Sequence, residues 1–456
     1  MTRFPARSPA PDPAARAALT EALRRRLGGP GTTGSLDVLR ATADALLPAV
    51  PADVWCAVLL DPSTLLDTGG LHEHGFPHSV MPRLFEIEHA DQEGVDNIRA
   101  LARRPAAASL LSTSTGGRVA DSVYYRDVLR PVGMADELRI LLRDGARTWG
   151  LLVLCRAADA RPFTAADTAL AAAAGAPATT ALRRSLLLTG IDRDDVPDAA
   201  GLLVVDDGMG VRLATATAER WLALVQEAHP APGRGLPYAV GALVHRARTV
   251  PPGTQVRSRA ITVTGHWVTL SAWREAPGGG TDGPAPGASG TGLDEGLTYV
   301  SLAPSHPREL TAIVLDAYGL TPREREVAQQ VLLGRSTAEM SARLHIAEYT
   351  VQDHLRKVFD KAGVRSRRDF SGELFQRCYL PRLEDPPLTK DGRMRGEEGP
   401  GNGAGTGSGA GSGDGKGGGS GGGAGNGSGR GRGRGRREGT GGGAAVEGGG
   451  GGGDGR

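Results

Sequence analysis

Cysteine is scarce in this chain of 456 residues: Cys56, Cys155 and Cys378 stand far apart, and none belongs to a CxxC pair. That argues against a disulfide framework or a cysteine-based zinc site and fits a reducing cytoplasm. No apolar run reaches the roughly 20 residues that span a bilayer. The opening Met1-Thr-Arg-Phe-Pro-Ala-Arg lacks the apolar core of a signal peptide. A cytoplasmic location without membrane contact is therefore expected. A dominant charge sign is also lacking. The net charge is +2, so affinity for nucleic acid has to come from a local patch. Catalytic constellations are missing as well: there is no nucleophile elbow, P-loop or paired-carboxylate arrangement. His72-Glu-His74-Gly-Phe-Pro-His78 fits no zinc spacing and has no cysteine near it. No catalytic residue, metal or cofactor is expected, and the chain reads as something other than an enzyme.

What is present is modular. The length allows two to four domains. Residues 1–34 are Pro-, Ala- and Arg-rich, a flexible and partly helical segment in which 13–27 places Leu19, Leu23 and Leu27 on one helical face. Residues 35–185 read as one α/β domain. Ser35 is placed to cap a helix over 36–49, and Val54–Leu60 is an apolar run of strand length. Residues 93–103 look helical. Leu138–Arg143 and Thr148–Cys155 flank the turn Asp144-Gly-Ala146, as in a hairpin. Thr164-Ala-Ala-Asp167 starts a long Ala-rich helix that reaches Arg184. Cys56 and Cys155 fall in strands, where buried filler is the expectation. Trp149 and Tyr125 are candidates to line a ligand pocket.

Residues 196–302 form a smaller α/β unit. Gly201–Asp207 reads as a strand, Thr217–Leu222 as a helix, and Val256–Arg259, Ile261–Val263 and Trp267–Trp273 alternate as strands do. Residues 276–296 are a Gly/Pro-rich insert, after which Leu297–Leu302 is a candidate last strand. Asp206-Asp207 has the look of a phosphoacceptor pocket, but the partner residues for that chemistry are not recognisable. Residues 392–456 form a Gly/Arg-rich tail that cannot bury enough apolar surface to offset chain entropy, and disorder is expected there.

The stretch 310–380 carries the most specific pattern. Thr321-Pro-Arg-Glu324 and Ser336-Thr-Ala-Glu339 are two capping boxes, and Gly334 between them can end the first helix. Helices are expected at 322–333, 337–344, 348–361 and 366–377. In the third, Val351, Leu355, Val358 and Ala362 share an apolar face. Tyr349, Gln352, Asp353, Arg356 and Asp360 line the opposite one. Gln352 suits adenine, Arg356 guanine, and Asp353 a cytosine amino group or the steering of its neighbours. Arg335, Thr337, Thr350, Lys357 and Lys361 are candidates to hold phosphates. Within 320–377 eleven Lys and Arg face eight Asp and Glu, a modest positive excess near the third helix. His354 sits beside the core face and reads as packing.

Two resemblances follow from these residues. Tyr124–Met134, with Asp136-Glu-Leu-Arg139 and Trp149-Gly150, resembles the GAF-type sensor domains of actinobacterial regulators. The unit 196–302 is similar to a degenerate PAS-type fold. More specifically, Leu320–Val327, Gly334, Ser336, Glu339-Met340, Leu344, Ile346, Thr350-Val351, His354, Lys361, Gly363-Val364 and Ser366-Arg367 resemble the LuxR-type (GerE-type) helix-turn-helix. This resemblance implies a four-helix domain that binds duplex operator DNA as a dimer through its last helix, with Phe370, Leu374 and Phe375 as contacts. Three positions depart from the pattern: Ala347 in place of a capping Ser, Ala362 in place of Leu, and Ala328 in place of a core Leu. The expected fold is multidomain α/β plus all-α. The expected function is a transcription regulator tuned by an unknown small molecule or partner at the GAF-like domain, with RNA polymerase a further candidate partner. Two alternatives stay open. One is a ligand-processing enzyme fused to a DNA-binding domain, for which 35–185 offers no convergent reactive groups. The other is a non-specific nucleic-acid binder acting through the Arg-Gly repeat 430–437.

Overall fold

The computed structural model describes residues 12–29, 31–72, 76–90, 96–145, 147–188, 196–225, 236–275 and 296–379. The chain divides into two units, 1–398 and 399–456, and no residue of the second is described. The start of the chain at 1–11, the insert at 276–295, the tail at 392–456 and His74, all singled out in the sequence, lie outside the described residues.

The first α/β unit opens with α1 (Pro13–Leu27) and α2 (Ser35–Leu46). Strands β1 (Val54–Leu60) and β2 (Asp67–Leu71) follow. Three short helices, α3 (Met81–Phe85), α4 (Ile98–Arg103) and α5 (Leu111–Ser114), lie between β2 and the long strands, with β3 (Ala108–Leu110) among them. β4 (Met134–Asp144) and β5 (Arg147–Ala157) make the expected hairpin, and α6 (Ala165–Leu188) closes the unit. The sheet is antiparallel in the order β2-β1-β5-β4-β3. One face packs under α1, α2 and α6 through Leu23, Leu39, Leu46, Leu138, Leu152 and Leu182. The other packs Val58, Leu141, Leu151 and Val153 against Phe85, Val128 and neighbouring helical turns. Burial on both faces is why β1, β4 and β5 read as continuous apolar runs.

Local details differ from the sequence reading. Ser35 is the buried first residue of α2, and the N-cap is Gly34, whose N–H donates to Asp37 at 2.9 Å. The helix stops at Leu46 rather than 49. Thr164 and Asp167 do form the expected reciprocal cap. Trp149 packs in the core on the α6 side of the sheet, away from the cavity on the opposite side. Tyr124 rather than Tyr125 lines that cavity.

The second α/β unit comprises β6 (Gly201–Val205), β7 (Val211–Ala214), α7 (Ala216–Leu224), α8 (Tyr238–Arg248), β8 (Val256–Ile261), β9 (Trp267–Trp273) and β10 (Thr298–Pro304). Its order, β7-β6-β10-β9-β8, repeats the connectivity of the first sheet. Thr215 caps α7 by accepting from Ala218 N–H. The close approach of α7 requires glycine at the start of β6: a Cβ on Gly201 would lie 2.3 Å from the Ala218 nitrogen. Helix α8 escaped the sequence reading. Tyr238 through Val244 are all buried, so it shows no polar face to give a 3.6-residue period.

Asp61 at the end of β1 joins the two units. Its carboxylate accepts from Arg259 Nε and Nη2 at 2.9 Å each, and from Arg259 N–H at 2.8 Å. The acid side chain is 1% exposed and the guanidinium 13%.

Helices α9 (Pro307–Ala317), α10 (Pro322–Leu332), α11 (Thr337–Leu344), α12 (Glu348–Ala362) and α13 (Arg367–Cys378) follow. Helix α9 was not among the helices read from the sequence, and it begins ahead of the stretch 310–380. This helix has two buried sides: Ile313 and Ala317 join the core under α6, while Leu315 joins the core of the last four helices. No described helix is long and apolar enough to cross a membrane.

The Asp61–Arg259 geometry gives a stability prediction. Removing one partner of a buried pair strands the other charge, so Asp61→Ala should lose about 3–5 kcal/mol. Asp61→Ala combined with Arg259→Met should recover most of that in a urea titration. A loss under about 1 kcal/mol for the single variant would show that solvent relaxes around Arg259.

Candidate nucleic-acid interface

The last four helices are built from their caps inward. Thr321 accepts from Glu324 N–H at 3.3 Å, and Glu324 accepts from Thr321 N–H at 2.8 Å. Ser336 and Glu339 repeat the exchange at 3.3 and 2.7 Å. Gly334, at φ 71°, ends α10 in the left-handed conformation that glycine adopts without strain. His345 takes the same conformation after α11 at φ 54°. There Ser341 Oγ donates to the Ile346 carbonyl at 2.6 Å and ties the tight turn before α12.

Helix α12 is sharply two-sided. Val351 and Val358 are fully buried and Leu355 is 6% exposed, packed on Val327, Val331, Met340 and Phe370. Opposite them, Tyr349 is 77% exposed, and Gln352, Arg356 and Asp360 are exposed too. Gln352 and Arg356 make no hydrogen bond or ion pair among the described residues, so their donor groups face solvent. Asp353 lies on the same stripe and pairs with Lys357 at 2.7 Å. That hydrogen bond holds the Asp353 carboxyl below its ordinary range and raises the Lys357 ammonium above its own. The helix has no side-chain cap: Ala347 occupies the N-cap position with extended backbone and no hydrogen-bonding group. His354 is half-buried, as packing requires.

The proposed phosphate contacts separate into two groups. Lys357 lies along the outer stripe, and Thr350 is half-buried two turns before it. Arg335 and Thr337 sit at the start of α11, where Arg367 donates to the Arg335 carbonyl at 3.0 Å and to Thr337 Oγ1 at 2.6 Å. Lys361 is already engaged within the domain. Its ammonium donates to Glu324 at 2.6 Å and to the Gly319 carbonyl at 3.0 Å, fastening the end of α12 to the start of α10. Its side chain is still 37% exposed.

A correction concerns the residues assigned to dimer contact. Phe370 is fully buried and Leu374 is 2% exposed, both within the core of this domain. Their volume is already spent on holding α13 in place. Only Phe375 faces solvent, at 46% exposure, and it stacks on Tyr379 with ring centroids 6.1 Å apart. Tyr379 was missed because it lies beyond the expected helix end.

Residues 319–371 match the family profile described as bacterial regulatory proteins, luxR family. The chain is 37% identical over 57 residues to the spore germination protein GerE of Bacillus subtilis (strain 168), spanning 12% of this chain and 77% of that protein. Among solved structures it resembles a Vibrio cholera VqmA–ligand–DNA complex, with 20% identity over 40% of this chain and 84% of that one and a TM-score of 0.20. An E. coli DhaR(N)–DhaL complex gives 15% identity, 62% and 88% coverage, and a TM-score of 0.21.

Two predictions follow from these helices. Ala347→Ser should cap α12 and add about 1 kcal/mol, read as greater amide hydrogen-exchange protection through α12. The second concerns pH. Burial pushes the Glu324 carboxyl up, but Lys361 and the Thr321 hydrogen bonds outweigh it and leave it below the ordinary value of 4.5. A depressed folded-state value stabilises above 4.5 and is lost as pH falls through it. Protection of α10 and α12 should therefore drop in that acid range, and Glu324→Gln should lower protection at pH 7 and flatten the drop.

Proposed function

The chain belongs to the luxR family of bacterial regulatory proteins, and from that premise we propose a sequence-specific regulator of transcription whose DNA affinity is tuned through its first α/β unit. Its partner is double-stranded DNA. The observation that carries base recognition is the outer stripe of α12: Gln352 and Arg356 are exposed and make no hydrogen bond or ion pair among the described residues, on a helix whose other side is locked into the core. A recognition helix presents such a stripe to base edges in the major groove. In this reading Arg356 contacts guanine and Gln352 adenine. Asp353, paired with Lys357, restrains the stripe and can accept from cytosine. Lys357, Thr350, Arg335 and Thr337 hold backbone phosphates around it.

The remaining assignments complete the proposal. The segment 35–185 is a GAF-like sensor of a small molecule or partner, and 196–302 is a PAS-like unit that relays its state. Regulation follows as a population shift, limited by the ligand's difference in affinity for DNA-competent and DNA-incompetent arrangements. The protein acts as a homodimer on its operator, with Phe375 and Tyr379 as the exposed apolar surface of α13. RNA polymerase is the partner through which operator binding acts on transcription.

The test is selection of bound duplexes from a random pool, followed by titration of the winning site. Arg356→Ala should cost about 1–3 kcal/mol and relax the preference at one base pair. Lys357→Ala should weaken all sequences alike and lower the salt dependence by about one counterion. Unchanged base preference in Arg356→Ala would remove that residue from readout. Deleting 392–456 should leave the selected sequence unchanged; loss of nearly all binding would move the affinity to the Arg-Gly repeat.

A further inference from the structure

A cavity of about 50 Å³ opens on the side of the first sheet away from α6, and groups from both α/β units line it. Val58, Leu151 and Val153 form its floor, with Met81, Phe85 and Ile98 as walls. Tyr238, the first residue of α8, reaches in from the second unit. Its ring lies 5.6 Å from that of Phe85. Gly241, one turn along α8, keeps the contact close: a Cβ there would meet Phe85 at 3.1 Å, with the Met209 methyl 3.8 Å away. One wall is therefore a helix of the neighbouring unit.

The polar groups restrict what fits. A π-helical turn at Glu86–Ala90 buries two consecutive polar residues, Glu88 at 3% exposure and His89 at 1%. Such wide turns cluster at functional sites. The Glu88 carboxylate is already matched: Arg139 pairs with it at 2.6 Å, and Ile98 N–H donates to it at 3.0 Å. Arg139 also pairs with Glu137 and donates to the Asp96 carbonyl. Tyr124 donates to Glu137 at 2.7 Å, and Asp67 accepts from Gly69 N–H. His89 differs, because its Nδ1 is buried with no hydrogen-bond partner among the described residues. Burial, reinforced by Arg99, His245 and Arg246, lowers its pKa to about 3, so the ring is neutral at physiological pH. The Cys56 thiol, pushed up to about 12 chiefly by burial, stays protonated and adds soft apolar surface.

An anionic guest would meet the charges of Asp67, Glu88 and Glu137 against the one guanidinium of Arg139, and a guest of either charge would have to shed its hydration at a cost of several kcal/mol. A wholly apolar guest would leave His89 unsatisfied. Size narrows the choice: a single water needs ~10–15 Å³ of such volume, so this cavity suits about three to five non-hydrogen atoms. We propose that the cavity binds a small uncharged organic molecule, a short or branched apolar skeleton bearing one hydroxyl or carbonyl, and that both α/β units build the site. The inference rests on the proposed sensing role of the first unit, and adds the ligand's class and the second unit's share in binding it.

Isobutanol, isobutyrate and isobutylammonium share one branched skeleton in three charge states. Each is titrated into the full chain labelled with 13C at the methionine methyls. Met81 lines the cavity, Met209 lies behind Gly241 of α8, and Met340 is buried in the DNA-binding core as a remote control. Isobutanol should shift Met81 saturably, with Met209 following the same curve and Met340 unmoved. The two ions should bind at least about tenfold more weakly. Tyr238→Ala should weaken isobutanol about tenfold, with unchanged circular dichroism as the folding check. No saturable shift at Met81, or equal affinity for an ion, overturns the ligand class. A Met81 response that leaves Met209 still and survives Tyr238→Ala overturns the joint site. Duplex selection on the same sample keeps the two readings apart. Selective DNA binding with silent methyls removes this inference and leaves the regulator. The methyl response in a protein that selects no sequence supports the inference and removes the regulator.

Discussion

One buried carboxylate fixes where the DNA-binding helices sit. Asp316, near the end of α9, has a side chain 8% exposed. It pairs with Arg325 of α10, and Arg147 at the start of β5 reaches it at 3.4 Å. Two guanidiniums from different modules thus share one acid. A buried acid tolerates burial only while such partners hold it, so the two modules are constrained through the same atom group. Nearby contacts act in the same direction: Arg183 of α6 donates to the Ala317 carbonyl at 3.0 Å, and Arg377 of α13 donates to the Leu187 carbonyl. Ile313 and Leu315 on opposite sides of α9 complete the joint with apolar packing. Helix α9 is a shared wall between two cores rather than a linker.

The second unit reaches the same helix. Glu309, in the first turn of α9, accepts from Thr269 of β9 at 2.7 Å, and its carbonyl lies 3.4 Å from Arg259. Arg259 is also the cation that Asp61 holds at the end of β1. The ion pair between the units and the start of α9 therefore share a residue. Contiguity of this kind is not coupling in itself. It identifies α9 as the element in contact with both α/β units and with the last four helices. A rigid shift of α9 would disturb the clasps at Glu309 and Asp316 together, which favours discrete alternatives over gradual bending.

Legibility in the sequence followed local chemistry. The two capping boxes, the Gly334 turn and the apolar spacing of α12 are each set by neighbours within four residues, and each formed as read. The hairpin of β4 and β5 was legible because apolar runs flank a Gly turn. Helix α8 was not, because burial on nearly every side erases periodicity. β2 was not, because three of the five residues in Asp67-Thr-Gly-Gly-Leu71 are Asp or Gly, types depleted in strands, and the segment is held by pairing with β1. At the interface, sequence spacing placed Gln352, Asp353 and Arg356 on one stripe. It could not show that Lys361 turns back to Glu324, or that Phe370 and Leu374 face inward. Those outcomes depend on residues 37 or more positions away in one case and on the packing of α13 in the other.

The recognition helix has unequal ends. Its N-terminus is uncapped at Ala347, where a side-chain acceptor is normally worth about 1 kcal/mol. Its C-terminus is secured twice, by Gly363 in the left-handed conformation and by the Lys361–Glu324 bond. Cohesion along α12 must therefore come from the buried row Val351, Leu355 and Val358 and from its far end. The residues proposed to read bases lie toward the weaker half. Fraying begins where orphan N–H groups lack acceptors, so the first turn, with Tyr349 and Thr350, is the part whose order depends most on what it meets. A cation at Lys361 that is already committed to Glu324 leaves the far end to serve as anchor, and divides the helix into a fixed half and an adaptable half.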